Sequence, residues 1–120
     1  MKLITKAIDH ELKANYRANH DENSMSLEVV FDCEPPLKLF TPWGACTWLI
    51  SERDPYNPDI LFGLCDLGMQ CPELGSVSLA EILEARGPLG LKIERDLHFI
   101  PTMTISEYAD AARAAGRIAA

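Results

Sequence analysis

Long apolar runs are absent from this chain, and basic residues are scarce in it. No stretch approaches the roughly 18 consecutive apolar residues of a membrane-spanning helix. The first ten residues lack an apolar run closed by small residues, so no secretory signal peptide is expected and the chain reads as a cytoplasmic one. Lys and Arg number 11 against 18 Asp and Glu, a net charge of −7 over 120 residues. Binding to phosphate backbones works through counterion release by clustered Lys and Arg, and that stripe is missing, so direct nucleic-acid or anionic-membrane binding is disfavoured.

The usual signatures of chemistry are also missing. There is no Gly-x-Ser-x-Gly elbow, and histidine is confined to His10, His20 and His98. Gly87-Pro88-Leu89-Gly90-Leu91 lacks the Lys-Ser/Thr of a phosphate loop and does not lead from a strand into a helix. Cys33, Cys46, Cys65 and Cys71 fall 13, 19 and 6 residues apart, with no Cys-x-x-Cys pair. They read as reduced cysteines packed mostly in the interior, with a zinc site from Cys65, Cys71 and a distant histidine as the alternative.

Hydrophobic residues make up 48% of the chain, enough for a core without staples and consistent with a single domain over 1–120. Leu3, Ile4, Ala7, Ile8, Leu12 and Tyr16 recur at steps of three and four, which predicts an amphipathic helix over 3–17 followed by a polar loop over 19–24. Short apolar segments at 27–31, 37–40, 46–51 and 60–65 predict strands, separated by proline-bearing turns that mark strand ends and favour an antiparallel meander. Ser78-Leu79-Ala80-Glu81 and Thr104-Ile105-Ser106-Glu107 both fit a capping box. They predict helices over 79–86, stopping at a left-handed Gly87 before Pro88, and over 105–115, with Ile105, Tyr108, Ala109 and Ala112 turned inward. Lys92 to Ile100 alternates and predicts the last strand. The fold expected is α+β, an antiparallel sheet of about five strands with an N-terminal helix and two further helices.

Two sets of residues suggest function. On a strand over 92–100, Glu94, Asp96 and His98 share one face, opposite Ile93, Arg95, Leu97 and Phe99. With Asp66 or Glu52 completing the set, Asp66, Glu94 and Asp96 are the candidate metal ligands of a nuclease, where Mg²⁺ or Mn²⁺ activates a water and stabilises the scissile phosphate. The other set follows the charge. Residues 52–84 hold seven acids and Arg53 alone among bases, so most of the excess negative charge is there. Glu52, Asp54 and Asp59, with Trp43 in a Pro-Trp-Gly turn as an aromatic anchor, are the candidate partner-binding residues. Without the nuclease reading, no cofactor is expected.

Phe40-Thr41-Pro42, Thr47-Trp48-Leu49-Ile50-Ser51-Glu52, Phe62-Gly63-Leu64-Cys65-Asp66-Leu67-Gly68, Pro72-Glu73-Leu74-Gly75, Val77-Ser78-Leu79 and Glu94-Arg95-Asp96-Leu97-His98-Phe99 together resemble domain-of-unknown-function family 2958. These are small proteins carried by plasmids, phages and conjugative elements, and some bear the label of single-stranded DNA endonuclease. The resemblance implies an accessory gene of a mobile element. Joined to the acidic segment, it gives the leading expectation: a protein-binding module whose partner is basic or nucleic-acid-binding, acting as a DNA mimic of the anti-CRISPR or anti-restriction type. A metal-dependent single-stranded DNA endonuclease is the alternative.

Overall fold

The computed structural model describes residues 2–20 and 32–120, so the strand expected over 27–31 lies outside the described residues. The first helix, α1, spans Lys6–His20. It begins later than expected because Thr5 takes the capping position, its hydroxyl accepting the Ile8 N–H at 3.2 Å. It also continues through Asn19 and His20, which were expected in a loop. Both side chains reach Glu52 across the helix end, and this tertiary bond outweighs their low helix propensity. The rest of that expected loop lies outside the described residues.

Strands β1 (Leu37–Phe40), β2 (Thr47–Arg53), β3 (Ile60–Asp66) and β4 (Glu73–Ser78) form a meander. With β5 (Glu94–Arg95) they make a five-stranded antiparallel sheet in the order β4-β3-β2-β1-β5. Each of the three hairpin turns carries a polar side chain that accepts backbone N–H groups. Thr41 accepts the Cys46 N–H at 3.1 Å, Asp54 accepts those of Tyr56 and Asn57, and Asp66 accepts that of Gly68 at 2.9 Å.

Both faces of the sheet are covered. On one, Leu37, Leu39, Trp48, Ile50 and Leu61 pack with Leu12 of α1, Ile82 of the second helix, and Leu3, Ile4 and Ile93. On the other, Leu49 and Leu64 meet Ile105, Tyr108, Ala109 and Ala112 of the third helix. The alanines put no bulk between the helix backbone and the sheet, which fixes a close approach.

The second helix, α2, spans Leu79–Glu84 and stops two residues before the expected end. Ala85 already has an extended backbone, and Gly87 is extended rather than left-handed, with φ −99°. Glycine is needed at 87 for a different reason: a Cβ there would lie 2.1 Å from the Trp43 ring. The Ser78 hydroxyl accepts the Glu81 N–H at 3.4 Å, while the reciprocal bond of a capping box is replaced by Asp59, which accepts the Ala80 N–H at 2.8 Å and the Ser78 hydroxyl at 2.7 Å. A single 3₁₀ turn over Pro88–Gly90 then leads to β5.

The third helix, α3, spans Ile105–Ala115 as expected, with the full Thr104/Glu107 capping box and a left-handed Gly116 at φ 76°. No helix among the described residues is long and apolar enough to cross a membrane.

Candidate functional site

The β2–β3 ladder slips by one residue between Ile50 and Glu52. Ser51 is the extra residue of this bulge, fully buried, its hydroxyl donating to the Phe62 carbonyl at 3.2 Å. Its own carbonyl accepts the Asn15 side-chain amide at 3.0 Å, which pins α1 to the bulge. The bulge pairs Glu52 with Phe62. It also brings the Glu52 carboxylate to the last turn of α1, where one oxygen accepts the Asn19 amide at 2.8 Å and the other meets His20 Nε2 at 3.2 Å. His20 in turn stacks on Tyr16, with ring centroids 4.0 Å apart.

Around this carboxylate lies a cavity of ≈ 300 Å³. Tyr16, Ile60 and Phe62 supply its apolar walls. Asn19, His20, Ser76 and the two acids Glu52 and Asp54 supply its polar groups. Glu52 is only 7% exposed, and burial of a carboxyl group is opposed unless its oxygens find partners, as these do in Asn19 and His20. Burial, and then the carboxylates of Asp54 and Glu52, push the Tyr16 hydroxyl above its ordinary range, so it stays a neutral donor at physiological pH.

Of the four residues expected to bind a partner, Glu52 and Asp54 meet in this cavity. Asp59, at the start of β3, is committed to capping α2. Trp43 is not brought to them. It sits in the β1–β2 turn, at the far end of the seven-residue β2, a separation of about 20 Å. There it is half-buried against Gly87 and the core. Sequence reasoning missed Asn19 and His20 as site residues and placed Tyr16 only as a core position. The signal was the continuation of the Tyr16 helix face at a four-residue step to His20.

The strand expected over 92–100 to carry the other constellation is far shorter in the structure. Only Glu94 and Arg95 form strand, paired with Phe40 and Leu39. Asp96 ends it: its carboxylate accepts the His98 N–H at 2.9 Å and its carbonyl accepts that of Phe99 at 3.4 Å, so the chain turns. Leu97, expected on the opposite face with Ile93 and Phe99, is 62% exposed. Glu94, Asp96 and His98 therefore do not share one strand face, and Asp96 pairs with Lys38 at 3.4 Å. Asp66 is spent elsewhere, accepting the amides of Gly68 and Ile118. Among the described residues no three His, Cys, Asp or Glu side chains gather as a set able to hold a metal ion.

The cysteines are free: Cys33 is buried, Cys46 and Cys65 are half-buried and Cys71 is exposed. Burial, with Glu52 nearby, pushes the Cys33 thiol up to about 11, and burial also raises Cys65.

Several carboxylates are held below their ordinary range. For Asp9 and Asp32, burial pushes upward but is outweighed, by Lys13 and Arg53 in the first case and by Ser106 and Thr104 in the second. Asp59 is lowered by the Ser78 hydroxyl and the Ala80 amide, and Asp96 by the His98 amide and then Lys38. Each folded pKa lies below its unfolded value, so this stability is complete above the unfolded value, near 3.9, and is lost as pH falls through the folded values. The urea midpoint, followed by circular dichroism, is expected to change little between about pH 7 and 5 and to fall below about pH 4. Asp32→Asn flattens that fall. A midpoint level down to about pH 3 contradicts it.

The family model described as Protein of unknown function (DUF2958) matches residues 3–119 of the chain. No curated protein and no solved structure matches it.

Proposed function

The chain belongs to the family described as Protein of unknown function (DUF2958), and from that premise we propose that it is a non-catalytic accessory protein of a mobile genetic element. It binds a basic or nucleic-acid-binding protein, and by occupying that partner's Lys/Arg groove it inhibits a host defence complex of the CRISPR or restriction type. The observation that carries this reading is the fate of Arg53. The single base of the acidic 52–84 segment is turned inward, donating to Asp9 at 2.8 Å and to the Pro58 carbonyl at 2.7 Å. Its charge is shared with Asp9, outside the segment, while Glu73, Glu81 and Glu84 stand exposed on β4 and α2. The field of such an acidic surface steers association with a positive groove and repels nucleic acid.

The nuclease alternative draws no comparable support. Of its acids, Asp96 serves a turn and pairs with Lys38 while Asp66 bonds the Ile118 amide, and approach of a polyanion is opposed by the acidic surface.

The reading is tested by adding the purified protein to a panel of CRISPR effectors and restriction complexes, and measuring displacement of their DNA as salt is raised from about 50 to 300 mM. At least one complex should lose its DNA to the protein at low salt, and the protein's own binding to that complex should weaken as salt rises. The triple variant Glu73→Gln, Glu81→Gln, Glu84→Gln should weaken displacement by about tenfold or more while keeping its circular dichroism spectrum. If no complex in the panel binds, or if binding ignores both salt and the triple variant, the reading fails.

A further inference from the structure

We propose that the cavity between the last turn of α1 and the ends of β2, β3 and β4 is the seat of a single arginine side chain of the partner. The inference rests on the reading of the protein as a binder of a basic protein, and it names the chemistry of the anchor.

The shape and charge of the cavity select the occupant. At ≈ 300 Å³ it lies at the bottom of the range of small-molecule pockets, about 300 to 1,000 Å³, and is the size for one long side chain. Its walls are an aliphatic and two aromatic side chains, and among the described residues its polar lining has no Lys or Arg but two carboxylates, Glu52 and Asp54, the latter with one oxygen already on the Tyr56 and Asn57 amides. An arginine has matching parts: an apolar stem to lie along Ile60, and a planar cation that stacks on aromatic faces such as Tyr16 and Phe62.

The donors and acceptors agree with this choice. Each Glu52 oxygen already has one neighbour, Asn19 or His20, but a carboxylate has about four lone-pair sites, so two remain for a guanidinium fork. The Asn19 Nδ2 must face Glu52, because the reverse orientation would set oxygen against oxygen. Its Oδ1 then lies buried, with no partner among the described residues and almost no surface open to the cavity, so the acceptors offered to a ligand are those of Glu52 and Ser76. The Ser76 hydroxyl, on the exposed edge strand β4 opposite Phe62, is a further acceptor at the rim. A guanidinium, with five donors and no acceptor, suits a site of this kind better than a compact ammonium or an anion. A site of this kind gives the diffuse acidic field a point of register on the partner.

The test uses the tripeptide acetyl-Gly-Arg-Gly-amide as probe, with its citrulline analogue, which keeps the shape and loses the charge. Binding is followed by ¹H–¹⁵N NMR. The arginine peptide should shift the amide resonances of Tyr16, Phe62 and Ser76, and the citrulline peptide should bind about tenfold or more weakly, as expected for loss of charge-assisted hydrogen bonds. Glu52→Gln should cost a similar factor. Ser76→Lys, at an exposed position that leaves the fold intact, places an ammonium in the cavity and should abolish the shifts.

Equal binding of the two peptides, shifts elsewhere in the molecule, or indifference to Ser76→Lys overturns the proposal. Its failure is separable from that of the partner reading. A defence complex that binds the wild-type protein and both variants equally overturns the arginine seat alone. An arginine peptide that behaves as stated, with no complex bound, upholds the seat and removes the partner reading.

Discussion

Gly63→Ala is expected to unfold this protein or bring it close to unfolding. Gly63 lies in the middle of β3, paired with Ile50 of β2 on one side and Gly75 of β4 on the other. A Cβ at 63 would stand 2.0 Å from the Leu49 carbonyl oxygen and 2.8 Å from the Ile50 Cα. Both obstacles are backbone, so no side-chain rotation relieves them. Relief requires β2 and β3 to separate where both are buried, and a cost at or above the upper end of the usual overpacking range, about 3 kcal/mol, follows. That is a large share of the 5 to 15 kcal/mol typical of a whole domain, by order of magnitude.

The control is its own cross-strand partner. A Cβ on Gly75 meets nothing within 4 Å, so Gly75→Ala should be neutral or slightly stabilising through lower entropy of the unfolded chain. Urea unfolding of the two variants side by side decides the matter, and equal midpoints would show that the close approach is not real. The consequence extends to the cavity, because the register slip that presents Glu52 begins at the Ile50–Gly63 pair.

What could be read from the sequence, and what could not, follows the reach of the interactions involved. Helix α3 was legible to the residue because its start, inward face and stop are all local: a capping box, apolar spacing and a glycine. The meander β1 to β3 was legible because proline and aspartate punctuate it. Strand β4 was missed because Glu73-Leu74-Gly75-Ser76-Val77-Ser78 has no buried apolar alternation. It is an edge strand that exists by pairing with β3, and Leu74 on it is exposed. Strand β5 was over-read for the opposite reason. The alternation from Lys92 to Ile100 is a true period-two pattern, but an aspartate inside it prefers to bond its own following amides, and Asp96 does so.

The candidate site shows the same division. Glu52 and Asp54 stood out as acids, and the structure brings them together. Their companions Tyr16, Asn19 and His20 depend on a helix that runs farther than its apolar period, held by bonds to residues more than thirty positions away. Asp59 carries the same charge in sequence as Asp54, yet its carboxylate serves the start of α2. A count of acids cannot separate a carboxylate that lines a cavity from one that caps the start of a helix, because both uses exploit the same attraction for N–H groups.

Asp66 provides the sharpest contrast between these two uses, and its replacement by alanine is expected to destabilise the fold by about 2 to 3 kcal/mol. The carboxylate is 3% exposed and divides its oxygens between two amides, Gly68 at 2.9 Å in the β3–β4 turn and Ile118 at 2.9 Å beyond α3. It therefore ties the segment after α3 to the end of β3, and each bond is of the charge-assisted kind. Asp66→Ala deletes both, and Asp66→Asn is little better, since its amide nitrogen would face one of the two N–H donors. Hydrogen exchange at Ile118 should accelerate in both variants, and the urea midpoint should fall in both. Had Asp66 been a metal-binding or catalytic carboxylate, removing it would relieve an unfavourable buried charge and leave stability unchanged or raised, the usual trade between function and stability. A midpoint that holds or rises in Asp66→Asn would thus return Asp66 to the list of candidate ligands, whereas a fall of the stated size assigns its charge to holding the fold.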